Sequence, residues 1–202
     1  LGSIEFSREA DGGAEETWQG HAGRIVSDAQ FSSGYRWERL SKSHPRKAFA
    51  SGQDEVDGWL KTKALQHQEK HLSATKILLN DSGAIVGYYT LATGQIDFGD
   101  LPSEVAKKLP RRMLPATMLA WLGVARAYQG QGLGRRLLAQ ALCDCHSAGK
   151  TFAIVAVILD CIDDNAKAFY QNFDFSQLPG HPYQLYLTAS QLDAMISSKA
   201  SR

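Results

Sequence analysis

Gln129-Gly130-Gln131-Gly132-Leu133-Gly134-Arg135-Arg136 is the stretch on which the fold of this chain turns. An apolar run, Met118 to Val124, precedes it, and Leu137, Leu138, Ala141, Leu142 and Cys145 follow at helical spacing. The succession reads as strand, tight turn and amphipathic helix. Glycine at alternate positions lets the backbone turn sharply and leaves N–H groups uncovered by side chains. Those donors lie where a helix begins, so its unpaired first-turn N–H groups and the positive end of its dipole face one point. Such a construction holds an anion, most often a phosphate or pyrophosphate. Arg135 and Arg136 add charge at its rim. The run is a site for a phosphorylated cofactor.

Spacing separates the cofactor classes that use such turns. A P-loop needs Gly, four residues, then Gly-Lys-Ser/Thr, and the chain has no such string. A dinucleotide fingerprint needs Gly-x-Gly-x-x-Gly directly after a strand. The spacing here is Gly-x-Gly-x-Gly, with Ala125 to Gln129 intervening after the strand. Asp160, closing the apolar run Phe152 to Leu159, imitates the ribose-binding acid, but too little chain follows it for the rest of that domain.

Gln129-x-x-Gly132-x-Gly134 resembles the Gln/Arg-x-x-Gly-x-Gly/Ala loop of the GNAT superfamily, the acetyl-CoA-dependent N-acetyltransferases. A second string, Asp164-Asn165-Ala166-Lys167-Ala168-Phe169-Tyr170-Gln171-Asn172-Phe173-Asp174-Phe175, resembles that family's Asn-x-x-Ala-x-x-Phe-Tyr-x-x-x-Gly-Phe. Asp174 stands where the family usually has Gly; the position rounds a helix end, and Asp tolerates left-handed backbone moderately well. The resemblance implies an α/β (α+β) fold: a mixed, mostly antiparallel central sheet flanked by helices and splayed where acetyl-CoA enters. It places Gln129, Gly130, Gln131, Gly132, Leu133, Gly134 and Arg135 around the pyrophosphate. Leu122, Gly123 and Val124 fall beside pantetheine, with Asn165 and Phe169 also at the cofactor, and Tyr170 becomes the general acid.

Composition bounds the rest. At 202 residues, 44% of them hydrophobic, the chain can bury one sizeable core. Domain organisation reads as residues 1–34, a tag remnant (Leu1-Gly2-Ser3) and flexible segment; 35–196, the acetyltransferase domain; and 197–202, a tail. No apolar run approaches the ~20 residues of a membrane span, and the polar N-terminus shows no signal peptide. The three cysteines are an odd number, with Cys143 and Cys145 two apart in the amphipathic helix pattern, so core or surface thiols are expected rather than a metal site and a reduced, cytoplasmic setting is the default. A net charge of +1 makes no case for a strongly basic nucleic-acid binder.

Along the chain, strands are expected at Arg36 to Leu40, Lys76 to Leu79, Ile85 to Ala92, Phe152 to Leu159 and Tyr183 to Thr188, with Asn80-Asp81-Ser82-Gly83 as a hairpin turn. Helices are expected at Asp54 to Glu69, capped by Asp54, at Pro102 to Leu109, and at Asp163 to Asn172, with a last turn opened by Ser190-x-x-Asp193.

Acetyl transfer to nitrogen needs a neutral amine, a polarised thioester carbonyl and a proton for the departing thiolate. A phenol with a pKa of ~10 is protonated at neutral pH and can donate to a thiolate, which suits Tyr170. The Val124 N–H could polarise the carbonyl. The strand from Thr117 to Ala125 holds no Asp, Glu or His, and Asp97, Asp100, His67 and His71 are unplaced as bases. A lysine amine at ~10.4 is poorly served by such a site, whereas an α-amine at ~7.7–8.0 is substantially neutral already. The sequence thereby leans toward an α-amine or an aminoacyl ester.

Phe49-Ala50-Ser51-Gly52, Val56-Asp57-Gly58-Trp59-Leu60 with Ala64, and Ile85-Val86-Gly87-Tyr88-Tyr89-Thr90-Leu91 are similar to one GNAT branch, the bacterial toxins that acetylate aminoacyl-tRNA. The similarity runs on through Leu178-Pro179 to Tyr186-Leu187. It implies aminoacyl-tRNA as acceptor and a ribbon-helix-helix antitoxin as partner; a homodimer is an open candidate. The toxins usually carry Arg where Trp121 stands. Lys61, Lys63, Lys107, Lys108, Arg111, Arg112, Arg135 and Arg136 are candidates for a basic face. An acetyltransferase for a small amine or a protein N-terminus is the alternative, and a non-catalytic CoA-binding module is the alternative of another class.

Overall fold

The computed structural model describes residues 34–107 and 109–197. The expectations for residues 1–34 and for the 197–202 tail fall outside it, Gly34 and Ser197 excepted. The strands are β1 (Tyr35–Arg39), β2 (Ala74–Asn80), β3 (Ile85–Asp97), β4 (Met113–Val124), β5 (Ala156–Asp160), β6 (Ser176–Gln177) and β7 (Gln184–Thr188). They form one sheet in the order β1-β2-β3-β4-β5-β7-β6. Every pair is antiparallel except β4 with β5. This is the mixed, mostly antiparallel sheet expected. A dinucleotide domain needs a parallel sheet, and Asp160 accepts a hydrogen bond from Gln184 at 3.0 Å.

The first helix, α1 (residues 54–69), runs through Asp54–Gly58, a π turn at Trp59–Lys63 and Ala64–Glu69. After it come α2 (Ser103–Ala106), α3 (Leu133–Thr151), α4 (Asp164–Gln171) and α5 (Ala189–Ser197). Hydrophobic pattern places them on both faces of the sheet. The stripe Leu137, Leu138, Ala141, Leu142 and Cys145 of α3 is at most 1% exposed and packs on one face with Leu122, Val124 and Tyr170. Val56, Leu60, Ala64 and Leu65 of α1 pack on the other with Ile77, Tyr88 and Trp121. The β2–β3 turn closes through Asn80, whose side-chain oxygen accepts the Ala84 N–H at 2.9 Å, with Gly83 at φ +79°.

Several local expectations are corrected. Gln53, not Asp54, is the N-cap of α1, and its side chain makes no capping bond. Instead the Ser51 hydroxyl accepts the Gln53 N–H at 3.2 Å, and Asp57 accepts both the N–H and the hydroxyl of Ser51 at 2.7 Å. The strand expected from Phe152 begins at Ala156; Phe152 ends α3 and is 73% exposed. The Pro102 to Leu109 helix shortens to α2, with Pro102 as its N-cap. The cap of α5 is Thr188 with Gln191, exchanging bonds of 2.6–3.2 Å, rather than Ser190 with Asp193. Asp193 pairs with His146 of α3 at 3.0 Å.

Two features of β4 shape the site. Thr90 faces Trp121 while Leu91 faces Leu119, so Ala120 is an extra residue bulged out of the ladder with β3. On its other edge β4 pairs with β5 only at Ala116↔Ala156, Thr117↔Val157 and Met118↔Ile158. Residues 119–124 of β4 then run on without a strand partner on that side among the described residues. The sheet splays open there.

Candidate active site

Backbone alternation aims β4 into the splay. The Ala125 N–H donates to Val86 O at 2.9 Å, and Gly87 lies opposite Val124 as a non-hydrogen-bonded pair. Gly123 and Ala125 therefore turn their backbone groups toward β3, and Leu122 and Val124 turn theirs toward the gap. The glycine loop follows. Gly130 and Gly132 have φ +71° and +72°, the left-handed conformation that the alternate glycines supply, and Gly132 is the N-cap of α3. A Cβ on Gly132 would meet nothing within 4 Å, so the face of the loop at the helix entrance is open. Gly134 lies inside the first helical turn and is buried, and Leu133 is 5% exposed. What these two residues offer an anion is their backbone N–H groups.

The Gln129 side chain has a structural use of its own. Its side-chain amide donates to Ser51 O at 2.8 Å and to Val124 O at 3.1 Å. The Arg126 N–H donates to Ala50 O at 2.8 Å, and the Arg126 guanidinium covers Gly52, whose φ is +96°. These contacts clip the segment before α1 onto the glycine loop. Gln131 donates to Ala127 O at 3.2 Å and stays exposed. Arg135 and Arg136 are half-buried on the first turn of α3.

Tyr170 sits in α4, which is capped by the Asp163 carboxylate accepting the Ala166 N–H at 2.7 Å. Its ring meets Phe169 and Phe175 edge-on, at 5.2 and 5.7 Å between centroids. It is 3% exposed, and its hydroxyl has no hydrogen-bond partner among the described residues. Burial, and then the neighbouring Cys161, push its pKa well above the ordinary value near 10, so the phenol stays protonated. Cys161 is itself pushed up to about 12, chiefly by burial, and remains a neutral thiol. The turn after α4 brings Phe175 back against Tyr170 because Asp174 adopts φ +61°. The residue that departs from the family's glycine makes the same left-handed bend. Asn165 lies exposed in the first turn of α4, and Phe169 is half-buried.

Three buried phenols share this direction: Tyr88, Tyr89 and Tyr170 are all raised, with burial the largest cause. Their neutral forms are favoured in the folded chain. The stability this confers is complete below the unfolded phenol pKa of ~10 and is lost as pH climbs through the raised folded values. Melting temperature, followed from about pH 8 to about pH 11, is expected to begin falling near pH ~9, where the thiols of Cys145 and Cys161, likewise raised by burial, ionise in the unfolded chain, and to fall more steeply above roughly pH 10.

The unplaced acids and imidazoles are occupied elsewhere or remote. Asp97 caps the Gly99 N–H at 2.7 Å, Asp100 lies 3.6 Å from His181, and His71 is exposed at φ +57°. His67 packs edge-on against Trp59. Of the expected basic face, Lys61 is 3.7 Å from Asp57 and Lys107 is 3.1 Å from Glu104. Arg111 lies over the Phe98 ring at 6.0 Å.

A family model of the acetyltransferase (GNAT) domain matches residues 73–177, a span that contains the open edge of β4, the glycine loop and Tyr170. The chain belongs to the GNAT acetyltransferase family. Its GNAT domain is 33% identical over 158 residues to the tRNA-acetylating toxin of Mycobacterium tuberculosis, spanning 78% of this chain and 94% of that protein. The GNAT fold is shared with AtaT complexed with acetyl-methionyl-tRNAfMet, at a TM-score of 0.74 and 24% identity over 79% of this chain and 97% of that one. AtaTR bound with acetyl-CoA gives a TM-score of 0.71 and 24% identity over 80% and 98%. As a GNAT enzyme the chain uses acetyl-CoA, and the residues present fit it. Gly132 leaves open space at the helix entrance, residues 119–124 have no strand partner on the gap side, and the Tyr170 hydroxyl has no competing partner among the described residues. Among the described residues no helix is long and apolar enough to cross a membrane.

The Ser51–Gln129 clip and the pairing of Trp59 with Trp121 escaped the sequence reading. Both join residues far apart in the chain; the string Phe49-Ala50-Ser51-Gly52 marked one half of the clip without showing its partner.

Proposed function

We propose that this enzyme transfers the acetyl group of acetyl-CoA to the α-amine of aminoacyl-tRNA. The observation that carries this reading is the relation to a tRNA-acetylating toxin over 94% of that protein's length. The absence of any Asp, Glu or His from β4 supports it, because an α-amine needs less help to lose its proton than a lysine does.

Each residue has a task in that reaction. The loop amides from Gly130 to Gly134 bind the pyrophosphate, with Arg135 adding charge. Leu122 and Val124 offer backbone groups along the gap, and Gly123 keeps the strand slim between them. The Val124 N–H donates to the carbonyl oxygen as negative charge develops on it. Tyr170 gives its proton to the departing sulfur. Gln129 holds the Val124 carbonyl and the Ser51 carbonyl together, so it positions the strand edge and contributes no side-chain contact to the cofactor. Asn165 and Phe169 line the α4 side, Phe169 by steadying the Tyr170 ring.

The family's toxin branch and the three free thiols support a cytoplasmic setting, where charged tRNA is found, and an antitoxin partner. Incubation with labelled acetyl-CoA and a bulk aminoacylated tRNA pool, against deacylated tRNA, tests the reading. Label is expected on charged tRNA alone. Label appearing only on small amines or peptide N-termini would reject it.

A further inference from the structure

Two backbone irregularities converge on one pair of side chains. In β4 the extra residue Ala120 resets the alternation, so Trp121 packs on the α1 side while Leu122 and Val124 pack on the α3 side with Tyr170. In α1 the π turn Trp59–Lys63 widens the helix where it passes this strand. The two indoles stack, 4.9 Å between centroids and 11° between planes. Trp59 is held by its ring N–H, which donates to the Thr90 hydroxyl at 3.2 Å; Thr90 in turn shares a 2.8 Å bond with Thr75. Position 121 lies on the unpaired stretch of β4. The indole stack therefore sits beside the unpaired stretch of β4, on the face of the sheet opposite Tyr170.

The reaction needs a neutral amine. We propose that the Trp59–Trp121 stack is the acceptor-side wall of this site, against which the aminoacyl α-amine leaves water and is held in its neutral, nucleophilic form. The proposal rests on the aminoacyl-tRNA reading. An ammonium placed against apolar surface loses hydration, which lowers its pKa. An α-amine starting at ~7.7–8.0 needs only a small shift, whereas a lysine at ~10.4 needs a large one. The ammonium proton passes to bulk water. The nitrogen lone pair then forms the C–N bond as the C–S bond breaks, Tyr170 protonates the sulfur, and the proton shed by nitrogen restores the phenol. Among the described residues, the titratable side chain in ring contact with the stack is His67 of α1, 4.7 Å from Trp59. Asp57 and Lys61 on nearby turns of α1 pair with each other. From β3, Tyr88 donates its hydroxyl to Val56 O at 2.7 Å.

The test follows kcat against pH, with acetyl-CoA and bulk aminoacyl-tRNA both saturating so that the limb reports the bound amine, in wild type, Trp121→Ser, Trp121→Phe and His67→Gln. Trp121→Ser is expected to move the acid limb of kcat up toward the free aminoacyl ester's pKa and to lower kcat at neutral pH by up to ~tenfold, with CoA affinity unchanged. Trp121→Phe should keep the limb, and so should His67→Gln. Without any acetyl donor, filter binding should show a smaller preference for charged over deacylated tRNA in Trp121→Ser than in wild type. Trp59→Ala, at the half-exposed member of the stack, should give the same shift where Trp121→Ser does not fold. An unmoved limb in folded Trp121→Ser or Trp59→Ala overturns the wall while leaving the tRNA reading intact. Loss of the limb in His67→Gln overturns it too, naming the imidazole as base. Wild type that labels no charged tRNA overturns the reading and the wall together.

Discussion

Tyr170→Phe is expected to cut turnover by about ten- to a thousandfold while leaving CoA affinity within about twofold. The substitution removes one oxygen from a ring held by Phe169 and Phe175, so packing is kept. That oxygen has no hydrogen-bond partner among the described residues, so its loss strands no donor or acceptor. What disappears is a hydroxyl kept protonated by burial, the group proposed to give its proton to the departing sulfur. The interaction exists only as charge develops on sulfur, which is why kcat falls and ground-state binding does not. Label incorporation gives kcat and calorimetry gives the CoA affinity. In cells, expression of the wild type should arrest growth and Tyr170→Phe should relieve the arrest. Unchanged turnover in the variant removes Tyr170 from the role of acid.

The parts of this architecture that were legible in the sequence are those with short-range causes. The glycine run, the amphipathic stripe of α3 and the hairpin at Asn80 announce themselves because dihedral preference and periodicity act within a few residues. Asp174 was readable for the same reason: a helix end demands a left-handed residue, and Asp supplies φ +61°. The misses have long-range causes. The apolar letters from Phe152 look like the start of a strand, yet α3 is capped there and only from Ala156 onward does β7 offer a partner. Thr188 rather than Ser190 caps α5 because β7 ends there. The bulge at Ala120 leaves no local mark; it is created by the mismatch between the β3 and β4 ladders, and it decides which face Trp121 joins. Gln129 was legible as part of a loop, but its partners Ser51 and Val124 could be known only once the chain had closed on itself.

Gly123→Ala is expected to cost about 2–3 kcal/mol of folding stability, large for one methyl group, because the space is already taken. A Cβ at this position would lie 2.6 Å from Val56 Cγ1 and 2.9 Å from Tyr88 Cε1, with Phe49 Cζ at 3.5 Å. None of these neighbours yields easily. Val56 is β-branched and 1% exposed, so its rotamer is fixed by the helix and the core around it. Tyr88 is fully buried and anchored at its far end by the bond from its hydroxyl to Val56 O. The methyl group must therefore push α1 away from the sheet or push β4 toward the gap. The first loosens the Trp59–Trp121 stack, and the second narrows the channel that Leu122 and Val124 border. Acetylation should accordingly fall further than the fraction unfolded accounts for. Gly58→Ala in the same helix is the control: it has helical dihedrals, and a Cβ there meets nothing within 4 Å, so stability should hold or rise slightly. Urea unfolding of the two variants, read beside their acetylation rates, separates a crowded strand from a generally fragile helix; equal midpoints would show that β4 and α1 have more room between them than their packing implies.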